Sequence, residues 1–176
     1  MLEKIPKAEV EVAPESAKSV YLASPWFNDA QMKRMQDTLA VLKDWASRST
    51  HRKIYAPYEE LVCPPDASPE LRWKTYAMNV NECSYCDIIV AVTDEKDMGT
   101  LFELGYACAV RDFNIRQDND WYFVRPVTVG LALNIPEGAP FNLMLAEGLD
   151  VVCRSLNQLQ DYLLKGVIPE NTGSIE

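Results

Sequence analysis

From Lys18 onward, short apolar runs alternate with longer amphipathic stretches, the pattern of βαβ units and a mostly parallel sheet. Five runs read as strands: Ser19-Val-Tyr-Leu-Ala, Lys53-Ile-Tyr-Ala-Pro, Asp87-Ile-Ile-Val-Ala-Val, Pro126-Val-Thr-Val-Gly-Leu-Ala-Leu and Asp150-Val-Val-Cys. The third and fourth are nearly unbroken in apolar residues, as expected of strands covered on both faces. Over 29–47, Met32, Met35, Leu39, Leu42 and Ala46 recur at three- and four-residue spacing and predict a helix with one apolar face. Ser68-Pro-Glu offers an N-cap, a proline at the first helical position and an early acid, so a second helix runs from there to about Tyr85. Another helix opens at Thr100. The last starts at Ser155, carries Leu156, Leu159 and Leu163, and stops near Gly166 as a C′ residue. Asp112 to Arg125 is polar and aromatic without periodicity and reads as a loop. These elements predict a single doubly wound, flavodoxin-like α/β domain over 18–166, with a five-stranded, mostly parallel sheet flanked by helices. A polar, loosely ordered arm over 1–17 precedes it, and a tail over 167–176 follows.

The length of 176 residues suits one ordinary domain, since domains run to roughly 100–200 residues. Against 26 Asp and Glu stand 17 Lys and Arg, a net charge of −9 with pI ≈ 4.7. That balance argues against a nucleic-acid backbone or an anionic membrane as partner, because both are bound through clustered Lys and Arg. A small neutral or cationic substrate remains open. Five cysteines in apolar contexts do not make the dense, even framework of a secreted scaffold. The N-terminal stretch lacks the apolar segment of a signal peptide, and no run reaches the roughly 18 apolar residues of a membrane span, so a cytoplasmic protein is expected. Cys83-Ser-Tyr-Cys86 has redox spacing, yet it lies at a helix end before a strand, the reverse of a thioredoxin-like pair, and reads as buried free thiols. With His51 the only histidine, in a polar loop, Ser-His-Asp and Cys-His schemes are excluded. Glycines are too sparse for a phosphate or dinucleotide fingerprint.

In an open doubly wound sheet, ligands bind outside the carboxyl ends of the strands. Three loops lie there: Ser24-Pro-Trp-Phe-Asn-Asp, Thr93-Asp-Glu-Lys-Asp-Met-Gly, and 134–142. The second holds Asp94, Glu95 and Asp97 and leads into Thr100-Leu-Phe-Glu103. Thr100 and Glu103 have capping-box spacing, and a cap alone would cost about 0.5 to 2 kcal/mol when removed. The alternative is that Glu103, in a first helical turn whose positive field keeps it ionised, is a nucleophile toward an electrophilic carbon such as an anomeric one. Asp97 reads either as a loop carboxylate or Asx-turn or as a site residue. Asn142 reads either as an N-cap or as a ligand contact, and Tyr21, Trp26 and Phe27 either as core aromatics or as pocket walls.

Tyr21-Leu-Ala-Ser-Pro-Trp26-Phe27, then Asp97-Met-Gly99-Thr-Leu-Phe-Glu103-Leu-Gly-Tyr-Ala, then Pro140-Phe-Asn142-Leu-Met144 resemble, in order, the motifs of the nucleoside 2-deoxyribosyltransferases. The resemblance covers about Lys18 to Leu164. It implies that Glu103 attacks C1′ of a 2′-deoxynucleoside, expels the base and forms a covalent deoxyribosyl-enzyme that a second base opens with net retention. Tyr21 would orient Glu103, and Asp97 would hydrogen-bond the base. Asn142 would reach from a neighbouring subunit of a homo-oligomer to the 5′-hydroxyl. Trp26 and Phe27 would line the base pocket, with Gly99 and Met144 among the substrate contacts. Asn79 stands where the broader-specificity branch carries an aspartate, which tilts the expectation toward purine deoxynucleosides as donors. No metal or redox cofactor is implied. The alternatives are an N-glycosidase on the same scaffold acting on deoxynucleosides or their monophosphates, for which Ser24 is the one obvious phosphate contact, and a non-catalytic nucleoside-sensing domain.

Overall fold

Apolar runs too short and too β-branched to be helices form the sheet, and the capped amphipathic segments cover it. A computed structural model describes residues 14–94, 96–116, 126–136 and 138–170. In chain order the elements are β1 (Ser19–Ala23), α1 (Asp29–Ser47), β2 (Lys53–Tyr55), α2 (Pro57–Glu60), α3 (Pro69–Tyr85), β3 (Ile88–Val92), α4 (Met98–Arg116), β4 (Val127–Leu131), α5 (Leu143–Gly148), β5 (Val151–Cys153) and α6 (Leu156–Lys165). Every strand pair is parallel, in the order β2-β1-β3-β4-β5. This is the flavodoxin-like order of a doubly wound sheet, and its direction reverses between β1 and β3, which opens a crevice at their carboxyl ends.

Side chains alternate across the sheet and so build two cores. Val20, Leu22, Ile88 and Val90 pack with Leu39, Leu42 and Trp45 of α1 and Leu159 and Leu163 of α6. Tyr21, Ala23, Ile89 and Ala91 face the other way, onto Cys83 of α3, Leu104 and Ala107 of α4, and Phe141. The alternation of β1 therefore aims Tyr21 at α4. The cap expected at Ser68 forms, accepting from Leu71 N, and Asn28 and Ser155 cap α1 and α6 in the same way by accepting from Gln31 N and Gln158 N. Gly166 ends α6 at φ 68°, a left-handed conformation that glycine adopts without steric cost.

Several boundaries differ from the sequence reading. The sheet is wholly parallel, and β2 stops before Pro57, which instead starts the one-turn α2. The helix expected at Thr100 begins at Met98 and continues through Arg116, so 112–116 are helical and not loop. Its distal part is anchored by Arg111, whose guanidinium meets Thr128 Oγ1 at 2.8 Å, Asp150 Oδ2 at 2.9 Å and the Gly148 carbonyl at 3.1 Å. Helix α5 was foreshadowed only by its cap, Asn142. The arm is attached earlier than expected: Pro14 and Ala17 are buried, and Arg52 Nη2 donates to the Glu15 carbonyl at 3.3 Å. Residues 1–13, 117–125 and 171–176 of the expected arm, loop and tail lie outside the described residues. Among the described residues no helix is long and apolar enough to cross a membrane.

Helix α4 has only one charged residue between Met98 and Val110, namely Glu103. Such a helix is normally covered all round. Here one side is open. Phe102 and Tyr106 of α4 run on to Tyr76 and Trp73 of α3 through ring centroids 6.2, 6.3 and 5.5 Å apart, and Trp73 is 67% exposed.

Candidate active site

Tyr21, fully buried on β1, donates its hydroxyl to Glu103 Oε1 at 2.7 Å. The Thr100 amide that a capping box would use is taken by Asp97 Oδ2 at 2.7 Å, so Asp97 is the N-cap of α4. Glu103 accordingly lies in the second turn and has no capping role, which corrects its expected place in the first turn. Its expected ionisation is corrected too. Burial pushes the Glu103 carboxyl up to about 7; the Tyr21 hydrogen bond pulls it down and the Asp97 charge pushes it up again. Burial raises the Tyr21 hydroxyl well above the ordinary range, helped by Glu103, so Tyr21 is the donor in this pair. Among the described residues no protein donor meets Glu103 Oε2, which leaves that oxygen for a ligand.

The pair joins β1 to α4 on the face of the sheet that α3 and α4 cover. Tyr55, the register partner of Tyr21 on β2, stacks on it with centroids 5.4 Å apart and planes at 15°. The Tyr55 hydroxyl donates to Asn79 Oδ1 on α3 at 3.1 Å. Tyr55 was missed in the sequence reading, though an aromatic at the carboxyl end of the strand beside Tyr21 was the available signal. Cys83, one turn beyond Asn79, is buried in the same core cluster as Tyr21, and its thiol is pushed up by burial and then by Glu103. Trp26 lies 5.6 Å from Phe27 and 5.9 Å from Tyr58, ring to ring, and Phe27 is 72% exposed. These three rings form an aromatic group after β1, with Phe27 and Tyr58 tilted by 33° and 60° to Trp26, and Trp26 also packs against the core on the α1 side of the sheet.

Asp97 is reached through Lys96, a non-glycine residue at φ 51°, a conformation that costs energy and recurs at functional loops. Gly99 keeps room for the Asp97 cap, because a Cβ there would lie 3.2 Å from Asp97 Oδ2. Asn142 and Met144 are not brought to Glu103. They line a cleft of about 840 Å³ with Leu101, Leu104 and Cys108 of α4, and neither Tyr21 nor Glu103 borders it. Asn142 Oδ1 caps α5 by accepting from Met144 N and Leu145 N at 3.0 and 3.3 Å, while Met144 is 76% exposed. The loop that carries Asn142 is braced at both ends. Asp94 accepts from Leu133 N and Asn134 N at 3.0 and 2.6 Å, and Arg154 donates to the carbonyls of Ile135, Pro136 and Ala139. Ser24 is buried, and its hydroxyl donates to the Pro25 carbonyl at 3.2 Å. Among the described residues no three His, Cys, Asp or Glu side chains are grouped to hold a metal ion.

A family model for nucleoside 2-deoxyribosyltransferases matches residues 20–144. No curated protein sequence matches the chain. Among solved structures, a 2-deoxyribosyltransferase from the psychrotolerant bacterium Bacillus psychrosaccharolyticus superposes with a TM-score of 0.61 at 22% identity, over 86% of this chain and 98% of that one. A conserved protein from Enterococcus faecalis V583 superposes with a TM-score of 0.54 at 16% identity, over 86% of this chain and all of that one. At these identities the two structures speak to the fold.

Proposed function

This chain belongs to the nucleoside 2-deoxyribosyltransferase family, and from that premise we propose that it moves a 2-deoxyribosyl group between nucleobases through a covalent intermediate on Glu103. The observation that carries the reading is the buried Tyr21–Glu103 hydrogen bond between β1 and α4. Tyr21 fixes one carboxylate oxygen and leaves Oε2 to attack C1′. The C1′–N bond breaks as the C1′–O bond forms, its electron pair leaves with the base, and the departing base takes up a proton from solvent. A second base reverses the step, so two inversions give retention. Cleavage at C1′ develops positive charge that the carboxylate stabilises. A carboxyl poised near 7 is ionised often enough to attack, and the Asp97 carboxylate, six residues earlier at the N-cap of α4, would hydrogen-bond the base. Trp26, Phe27 and Tyr58 would hold the flat heterocycle, and purines are the expected donors. Five free thiols suit a reducing compartment, so we place the reaction in the cytoplasm. The inward turn of the Ser24 hydroxyl favours nucleosides over monophosphates.

Incubation with deoxyinosine, with and without free adenine, tests this directly. Deoxyadenosine is the expected product. Release of hypoxanthine at the same rate without an acceptor, and no new nucleoside with one, would make the protein a hydrolase and sink the transferase reading.

The separation of Asn142 from Glu103 within one chain supports a site shared between copies, in a homo-oligomer whose partner covers the open aromatic face of α3 and α4. Asn142→Ser keeps an N-cap side chain but is too short to reach a substrate. Mixing this variant with Glu103→Gln, each inactive alone, should restore part of the activity, since a hybrid dimer carries one intact site. No recovery after the subunits have exchanged, or an active monomer by light scattering, would refute sharing.

A further inference from the structure

Asn142 caps α5, yet none of the 6 residues of that helix is fully buried. So short a helix does not hold itself in place, and the position of its first turn is set by the connection that leads into it from β4. That connection contains Pro136 and Pro140, and Gly138 at φ 78°, so it has no ladder of its own and takes its shape from side-chain bonds. Asp94 grips its start through the Leu133 and Asn134 amides. Arg154, at the end of β5, grips the rest. Its guanidinium donates to the carbonyls of Ile135 and Ala139 at 3.5 and 3.3 Å and also to that of Pro136. Its Cζ lies 5.7 Å from the ring centre of Phe141, which is buried and directly precedes Asn142. Arg154 is itself held firmly: Cys153 is in register with Leu131 of β4, and the Arg154 amide donates to Gln158 Oε1 at 2.6 Å in the capped first turn of α6. A planar fork on so fixed a base serves several carbonyls in one geometry, which an ammonium cannot do.

We propose that Arg154 is a positioning residue for the neighbouring copy's active site: by clamping the β4–α5 connection it fixes how far Asn142 reaches toward the 5′-hydroxyl of a deoxynucleoside bound at the other chain's Glu103. This rests on the shared-site reading of the transferase. Loss of the clamp leaves the Tyr21–Glu103 pair of the same chain in place and spoils one contact, that to the 5′-hydroxyl, in the other chain's site. A misplacement of about 1 Å at such a contact can cost up to about 100-fold in rate.

The test has two readouts. The first compares deoxyinosine with 2′,5′-dideoxyinosine, which lacks the 5′-hydroxyl, as donors to adenine. Arg154→Met keeps the apolar stem against Phe141 and removes every donor; kcat/KM for deoxyinosine should fall about 30-fold, while that for the dideoxy donor stays within about twofold of wild type. Arg154→Lys keeps the charge without the fork and should lose about fivefold, again with deoxyinosine alone. An equal fall for both donors would make Arg154 a brace of the fold and nothing more, and equal use of both donors by the wild type would leave Asn142 no 5′-hydroxyl to hold; either result overturns the proposal. The second readout mixes Arg154→Met with Glu103→Gln. After random exchange about half the dimers are hybrids, each with one site that joins an intact Glu103 to an intact connection, so activity toward deoxyinosine should rise to about a quarter of wild type. No rise, where Asn142→Ser mixed with Glu103→Gln does recover, would put the effect of Arg154 in its own chain and refute this proposal alone. If neither mixture recovers, the shared site fails and takes this inference with it.

Discussion

Glu103→Gln should abolish base exchange and, above neutral pH, make the protein more stable. The first effect follows from chemistry: an amide oxygen cannot form the deoxyribosyl ester, although glutamine matches the shape of glutamate and still accepts from Tyr21. The second follows from linkage. Burial holds the Glu103 carboxyl near 7 in the folded chain, above its ordinary 4.5 in the unfolded one. A group raised in this way contributes its full stability below about 4.5, where both states carry the proton, and loses it as pH rises through 7. Above that, the wild-type protein keeps an ionised carboxylate in a largely buried site, at roughly 1 to 3 kcal/mol, and the neutral glutamine does not. Denaturant unfolding at pH 5 and pH 8.5 should therefore show a variant close to wild type at the lower pH and ahead of it at the higher. A simple helix cap would give the opposite sign, a loss of about 0.5 to 2 kcal/mol at both. Near wild-type exchange by Glu103→Gln would remove the proposed mechanism altogether.

The fold was legible because its signals are local and mutually consistent. Ser68 sits where a polar cap precedes a helical run, Ile88–Val92 is apolar throughout and Val127–Leu131 is nearly so apart from Thr128, as interior parallel strands need to be. The errors fall where tertiary contacts decide. Arg111 anchors the distal part of α4 to Thr128 of β4 and to Asp150 in the turn before β5, too far along the chain for any periodicity to register. The capping box at Thr100 failed because Asp97 competes for the same amide from the preferred distance, three residues ahead. Of the site, Tyr21 and Glu103 lie in hydrogen-bond contact, a pairing that the family resemblance implied and no periodicity of β1 or α4 could supply. The ionisation of Glu103 was misjudged, because burial depends on what covers a helix and no helical position reveals that. Tyr55 went unseen for a related reason: its weight comes from being the register neighbour of Tyr21, 34 residues earlier, and from the helix that brings Asn79 over it.

The acid side of the pH profile should separate three residues around the nucleophile. For the wild-type protein, kcat/KM for base exchange should rise with pH and level off near 7, because the free enzyme must lose the Glu103 proton before attack. Tyr21→Phe removes the hydrogen bond that favours the ionised carboxylate, so the carboxyl titrates higher and the acid limb moves to more alkaline pH. Asp97→Asn removes a negative charge that opposes ionisation and should move the limb the other way. Asparagine still caps α4 as well as aspartate does, so the shift is not a by-product of a frayed helix. Below the limb each unit of displacement is a tenfold change in rate, which makes opposite displacements easy to resolve at about pH 6. On the plateau both variants should also be slower, Tyr21→Phe through a loosely held nucleophile and Asp97→Asn through weaker hydrogen bonding to the departing base. Profiles that coincide with wild type after normalisation would show that Asp97 acts only as a cap and Tyr21 only as a core aromatic. Displacement of both limbs in the same direction would show that burial alone, and not these two partners, sets the ionisation of Glu103.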